Sequence, residues 1–265
     1  MIRSRFETPE WHAAVGRMLS ADSAGQIGEA LSDALGEVVT YDGTCLLHFR
    51  RDAPPGVLHR SLSPQDERHY LKRYLAGPYL LDPLYQLALS TETPDMCRFR
   101  DAIPDRFRSS EYYHRYCEQT HLRDEMDFFV DVADGGTLAL VVARHRKMFT
   151  KAELSRLELV EPVVRAAMQR IWERWRGGDS NAHADPDIHR RLTECFDNFG
   201  HDVLTRRERE ITQLLLRGHS TKSVARELDI APGTVMVHKR NLFSKLGITS
   251  QFELFSRFID ELPRR

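Results

Sequence analysis

The sequence predicts two domains of different class: an α+β domain, an antiparallel sheet covered by helices, over residues 1–176, and an all-α domain over 200–265, joined by residues 177–199. Three observations carry this. Residues Leu204 to Gly247 show three helical periods separated by two tight breaks. Upstream, strand-like runs bounded by turn signals flank a helical middle. Between the two, WRGGDSNAHADPD, from Trp175 to Asp187, interrupts a long helical pattern with small and polar residues, as linkers do. At 265 residues, two domains are also the natural expectation from length.

Within the first domain, short helices are expected near Trp11–Leu19 and Ala24–Leu35. Strand-like runs follow at Glu37–Tyr41, Cys45–Arg50 and Val57–Ser61, separated by DG and PPG turns. Helical segments then occupy about Pro64–Leu75, Pro83–Leu89 and Ser110–Gln119. Two more strands, MDFFVDV and TLALVVARH, meet at Asp134, Gly135 and Gly136, and a helix from Thr150 to Arg174 closes the domain. Three strands, a helical insertion, two strands and a closing helix describe a sheet domain of the GAF or PAS kind. Leu157, Val160, Val164, Met168, Ile171 and Trp175 recur at roughly heptad spacing, with a kink expected at Pro162. This helix is expected to pack one face on its own sheet and the other on a second copy of the chain.

The joining segment carries Ile188, Leu192, Phe196 and Phe199 at helical spacing, the signature of a short amphipathic helix docked on one of the domains.

In the C-terminal domain, Thr205 and Glu208 make a T-x-x-E capping box that starts the first helix. Arg206, Arg207 and Arg209 crowd its first turn, where the helix dipole disfavours cations, so an anion is expected nearby. Gly218 supplies a left-handed helix end and Ser220 an N-cap for the second helix. Pro232 suits the first turn of a third helix running to about Leu246. At roughly 100° per residue, Val235, His238, Leu242 and Leu246 share one stripe, and Val237, Arg240, Asn241 and Ser244 the opposite one. One face packs, with His238 read as structural, and the other is free to enter a groove. Between Pro232 and Gly247 stand Lys239, Arg240 and Lys245 and no acidic residue, a charge pattern suited to a polyanion. A helix of this kind fits the major groove of duplex DNA, which makes Thr234, Met236, Val237, Arg240 and Asn241 the candidate base readers. Lys239 lies at the stripe's edge, where its stem covers apolar surface while its head reaches a phosphate. Beyond Gly247, Ser250 and Glu253 start a last helix bearing Phe252, Leu254, Phe255, Phe258, Ile259 and Leu262. These either close the small core or pair two DNA-reading domains.

These residues resemble the LuxR-type helix-turn-helix domain. L-T-x-R-E-R-E, the glycine after the first helix, T-V-x-V-H and N-L-x-x-K-L-G occur together in order over the last quarter of the chain. The resemblance implies base contacts from Met236, Val237 and Arg240, phosphate contacts from Thr221, Lys222 and Lys239, and a homodimer on two-fold-related half-sites. Two departures stand out. Met236 replaces a usual lysine, exchanging a polar contact for an apolar one. Ala231 replaces a usual Ser or Thr cap, a loss worth about 1 kcal/mol.

For the sheet domain, the inserted helices and the sheet are expected to enclose a small-molecule pocket near Tyr70, Tyr74, Tyr79, Leu81, Asp82, Tyr85, Phe99, Tyr113, Phe128 and Val130. YLLDPLYQLAL, from Tyr79 to Leu89, resembles the D-P region of the autoinducer-binding domain of quorum-sensing regulators, which implies that Asp82 accepts a ligand N–H. The aromatic residues before the aspartate do not fall at the family spacing. Trp11, Trp172 and Trp175 lie outside the expected pocket, so a metabolite other than an acyl-homoserine lactone is expected. Asp82, Asp124, Glu125 and Asp127 suit a cationic or amide-bearing one.

Charge divides along the same boundary. The chain holds 38 Lys and Arg against 39 Asp and Glu, a net of −1. From His201 onward there are 12 basic and 8 acidic residues, +4, which leaves −5 for residues 1–200. No apolar run reaches membrane-spanning length and the first residues lack a signal-peptide core, so a cytoplasmic protein is expected. Cys45, Cys97, Cys117 and Cys195 form no C-x-x-C pair, hence no zinc site or disulfide framework is expected. No metal and no cofactor are expected.

The leading expectation is a non-enzymatic, ligand-responsive transcription regulator whose partners are duplex DNA, a small-molecule effector, a second copy and, for an activator, RNA polymerase. Control by a protein partner or by phosphorylation is the alternative, but residues 1–40 lack the acid pair of a phosphorylated receiver. An enzyme fused to the DNA module ranks last, since no G-x-S-x-G, H-E-x-x-H or phosphate-binding glycine loop is present.

Overall fold

The computed structural model describes residues 5–110, 112–133, 135–175 and 186–261. Thr8 caps α1 (Pro9–Ser20), and a Ser23–Gln26 capping box starts α2 (Ala24–Val38). The strands β1 (Gly43–Phe49), β2 (Gly56–Ser61), β3 (Met96–Arg98), β4 (Asp124–Asp131) and β5 (Thr137–Arg144) form one antiparallel sheet in the order β2-β1-β5-β4-β3. Between β2 and β4 lie α3 (Pro64–Asp66), α4 (Lys72–Leu75), α5 (Pro83–Ala88) and α6 (Phe99–Ala102). After the sheet come α7 (Lys151–Trp175), α8 (Pro186–Asn198), α9 (Arg206–Leu216), α10 (Thr221–Glu227), α11 (Pro232–Leu246) and α12 (Gln251–Glu261).

Strand alternation decides the layers. Leu46, Met126, Phe128, Val130, Leu138, Leu140 and Val142 face α1, α2 and α7 in one core. Cys45, Leu47, Phe49, Phe129 and Ala139 face the inserted helices in another. The apolar stripe of α7, from Leu157 to Ile171, is wholly buried on its own sheet, so it offers nothing to a second copy. What α7 turns outward includes Leu159, 69% exposed. The helix is continuous through Pro162.

Two strand expectations change. The run Glu37–Tyr41 is not a strand, because α2 extends to Val38 and the Thr40 carbonyl accepts from Arg144 Nε at 2.6 Å instead of joining a ladder. The fifth strand is β3, three residues inside the insertion. Pro64–Leu75 is helical but opens into a wide π-type turn at Glu67–Leu71, and a second such turn, Tyr113–Cys117, replaces the helix expected over Ser110–Gln119. Such turns often mark functional positions.

Helix α8 docks on both domains. Its first half sets Leu192 against Gly77 and His189 against Tyr79 (2.7 Å between Nδ1 and the phenol oxygen). Phe196 in its second half and Phe199 just after it meet Phe258 of α12 edge-on, each at 5.6 Å. The linker positions 176–185, Asp134 and Leu262 fall outside the described residues, as do the side chains of Ile188 and Ile259.

Candidate functional site

The helix-turn-helix is built by local capping and one small core. Thr205 and Glu208 cap α9 reciprocally, Ser220 caps α10, and Gly247 ends α11 in the left-handed region (φ 64°, ψ 35°). Ala231 makes no side-chain cap, leaving Pro232 to start α11. Val235, Leu242 and Leu246 are buried, whereas Thr234, Met236, Val237, Arg240 and Asn241 form an exposed face. At 63% and 48% exposure, Met236 and Val237 are apolar side chains left on the surface, as contact with a partner requires. Lys222 is exposed at the start of α10, and Thr221 and His238 are half-buried. The Lys239 ammonium lies 5.3 Å from the Phe243 ring, and burial, then Arg106, push it below the usual lysine range.

Two charge expectations need correction. Lys245 is paired with the nearly buried Glu208 at 2.7 Å, so it is not part of an unopposed cationic surface. Arg206 and Arg207 are paired within α9 with Glu210, at 3.2 and 2.8 Å, so part of the first-turn charge is answered inside the helix, while Arg209 Nε is buried with no hydrogen-bond partner.

In the sheet domain, a pocket of about 730 Å³, counted out to its mouth, lies between the sheet and the insertion. Its lining, mostly apolar and aromatic with a few polar groups, is of the kind that holds small organic ligands. Tyr70, Tyr74, Asp82 and Phe99 line it, together with Tyr112, Tyr116, Thr120, Glu125, Asp127 and His145. Tyr70 and Tyr116 come from the two π-type turns, and the Tyr116 hydroxyl donates to the Tyr70 carbonyl at 3.3 Å. Tyr112 stacks on Tyr116 at 5.4 Å and Tyr70 on His145 at 4.4 Å.

Phe128 does not line the pocket. The residues of β4 alternate, so Glu125 and Asp127 face the insertion while Met126, Phe128 and Val130 face α7. Tyr79 and Tyr85 are buried behind the pocket, bonded to His189 and to the Arg50 carbonyl. Tyr113 and Leu81 pack with the core of the C-terminal helices. Asp124 is held outside the pocket by Arg98 Nε at 2.9 Å and by the Phe149 N–H at 2.7 Å. Tyr112, Tyr116, Thr120 and His145 escaped the sequence reading. The four-residue spacing of Tyr112 and Tyr116 was the available signal.

Asp82 accepts the Tyr74 hydroxyl at 2.6 Å on one oxygen and, capping α5, the Leu84 N–H at 2.9 Å on the other. Burial raises its carboxyl to about 6. Glu125 and Asp127 share a hydrogen bond; burial first, then the neighbouring carboxyls, raise Glu125 to about 8 and Asp127 well above the usual range. Asp127 is 1% exposed, and its Oδ1 has no hydrogen-bond partner.

The insertion has a second side. Asp105 accepts from the Ser220 N–H at 3.0 Å and from its hydroxyl. Gly218, at φ 92°, lets the Phe107 backbone approach where any side chain would collide. Residues 99–120 therefore wall the pocket on one side and hold the helix-turn-helix on the other.

Residues 202–258 match the model of the bacterial regulatory proteins of the luxR family. A protein of Aeromonas salmonicida named as an HTH-type transcriptional regulator in the exeN 3' region is 34% identical over 157 residues, covering 57% of this chain and 80% of that protein. The monoamine regulon transcriptional regulator of Klebsiella aerogenes is 26% identical over 204 residues, 77% of each chain. Among solved structures, the VqsR LBD domain of Pseudomonas aeruginosa matches with a TM-score of 0.56 at 25% identity, over 63% of this chain and 99% of that one. Among the described residues, no helix is long and apolar enough to cross a membrane.

Proposed function

Since the chain belongs to the luxR family of bacterial regulatory proteins, we propose that a small molecule in its N-terminal pocket sets how the helix-turn-helix engages duplex DNA. The family makes it a non-enzymatic DNA-binding transcription regulator. Thr234, Met236, Val237, Arg240 and Asn241 then read base edges, and Thr221, Lys222 and Lys239 hold phosphates. The exposed Phe252 of α12 and Leu159 of α7 belong to faces available for a homodimer on paired half-sites.

The observation that carries ligand control is the two-sided insertion. Phe99, Tyr112, Tyr116 and Thr120 line the pocket, while Asp105 and Phe107, in the same stretch, touch Ser220 and Gly218. Helix α8 adds a parallel route, bonded to Tyr79 at one end and packed edge-on against Phe258 at the other. A ligand that favours one placement of these side chains shifts the population of DNA-competent arrangements.

The test needs no knowledge of the ligand. Val141 lies on the pocket's sheet floor. Val141→Phe should fill the pocket and change the affinity of the full chain for duplex DNA several-fold at fixed salt. Unchanged affinity in a variant with native circular dichroism would count against pocket control.

A further inference from the structure

We propose that the pocket's ligand is an organic cation, a protonated amine on a short aromatic or aliphatic body, held by Glu125 and Asp127. This rests on the reading of the pocket as a sensor site and names the chemical class it takes.

The charge inventory of the pocket is one-sided: Asp82, Glu125 and Asp127 line it with no Lys or Arg. Four of its hydroxyl donors are already committed: Tyr74 to Asp82, Tyr116 to the Tyr70 carbonyl, Thr44 to the Val141 carbonyl at 2.6 Å, and Thr120 to the Tyr116 carbonyl at 2.8 Å. The uncommitted groups of the lining include the Tyr70 and Tyr112 hydroxyls and His145 Nδ1, but its uncommitted charge-bearing oxygen is Asp127 Oδ1, buried and without a partner. A ligand that satisfies that oxygen must bring a donor to it.

It must also bring positive charge. No Lys or Arg is among the lining residues, and the one basic side chain, His145, is held below the usual histidine range by burial. Two hydrogen-bonded carboxyls in a buried wall repel unless a proton or a cation lies between them. Among the described residues, no three His, Cys, Asp or Glu converge as metal ligands, so the geometry does not favour a metal ion.

The remaining walls fit the body of such a ligand. Tyr70, Tyr74, Phe99, Tyr112 and Tyr116 surround the space with aromatic faces, which attract ammonium groups. Cys45, Leu47, Phe49, Leu71 and Val141 give an apolar floor. An amine placed against Glu125 and Asp127 would replace their shared proton with its own N–H donors.

Matched probes test this on the full chain: 2-phenylethylamine against 2-phenylethanol and phenylacetate, and hexylamine against hexanol. At least one amine should raise the melting temperature by roughly 3 °C or more at saturation, with its neutral and anionic counterparts giving less than about 1 °C. Glu125→Gln and Asp127→Asn, which keep shape and remove charge, should abolish the amine's shift. An alcohol that matches its amine, an amine effect that survives both variants, or no amine effect up to millimolar concentration at pH 7 to 9 would each overturn the assignment. None of these outcomes bears on pocket control itself, which Val141→Phe tests through DNA binding. If a variant fails to fold, the amine-against-alcohol comparison on the native chain decides.

Discussion

Asp105, in the insertion of the sheet domain, accepts hydrogen bonds from the N–H (3.0 Å) and the hydroxyl of Ser220, the residue that caps α10. A carboxylate from one domain thus lies at the start of the helix whose next two residues, Thr221 and Lys222, are candidate phosphate contacts. A DNA phosphate approaching them meets like charge. Asp105→Ala is expected to raise the affinity of the ligand-free chain for duplex DNA about threefold to tenfold, about 0.6–1.4 kcal/mol and so the equivalent of one ordinary hydrogen bond. Fluorescence anisotropy on a labelled duplex measures it, and equal or weaker binding would show that this contact does not restrain the reader.

Arg240 on α11 and Lys222 at the start of α10 separate two kinds of contact. Arg240→Ala should relax base preference at one operator position, at a cost of about 1–3 kcal/mol there. Lys222→Ala should weaken all sequences alike and reduce the salt slope by about one ion. Gel-shift titrations at several salt concentrations distinguish them. A uniform loss from Arg240→Ala would place that side chain on the backbone.

Arg144, 1% exposed, joins the sheet to α7 through Glu153 at 2.6 Å and lies 4.0 Å from the Phe149 ring centroid. Removing one partner leaves a buried cation unanswered, so Glu153→Ala should cost roughly 3 kcal/mol in denaturant titrations. The Arg144 guanidinium holds Glu153 down at about 2. The pair's stabilisation is therefore complete above the ordinary glutamate range and is lost as pH falls towards 2. A variant with the native midpoint would remove this pair from the fold's supports.

Glu125 reverses that sign. Its carboxyl is raised to about 8 from 4.5 by burial, then by Asp82, with Asp124 also unfavourable and the hydrogen bond to Asp127 opposing. Around it stand Asp127, Asp82, Cys45, Tyr74, Tyr116 and His145, all lining the same pocket. The folded state keeps a proton that the unfolded chain has released, so stability should fall as pH rises from about 4.5 to about 8, then level off. Glu125→Gln should flatten that decline in thermal scans, and an unchanged slope would locate the titration elsewhere.

Much of the reader was written locally. The Thr205–Glu208 capping box, the Ser220 cap, Pro232 at a helix start and Gly247 at a helix end are contacts within a few residues, and each follows from residue type and spacing. The exposed α11 face follows as well, because 3.6-residue periodicity separates Val235 and Leu242 from Val237 and Arg240. The ion pair of Lys245 with Glu208 was not legible, since 37 residues and a folded core lie between them.

The sheet domain divides in the same way. Alternation in β4 separates Phe128 from Asp127, but the chain alone does not say which face meets the pocket. That choice depends on whether α7 or the insertion covers it, a matter of long-range packing. The segment Glu37–Tyr41 had strand-forming residues, yet the distant Arg144 side chain took its Thr40 carbonyl.

By itself, then, the sequence determined that a sheet domain is joined to a helical reader of DNA, because capping, periodicity and charge act over one or two helical turns. Only the tertiary structure decided that buried carboxylates share one aromatic pocket, that α8 bridges both domains, and that Asp105 meets Ser220. Those juxtapositions join residues up to 115 positions apart, and they arise from shape and buried area, which no local pattern encodes.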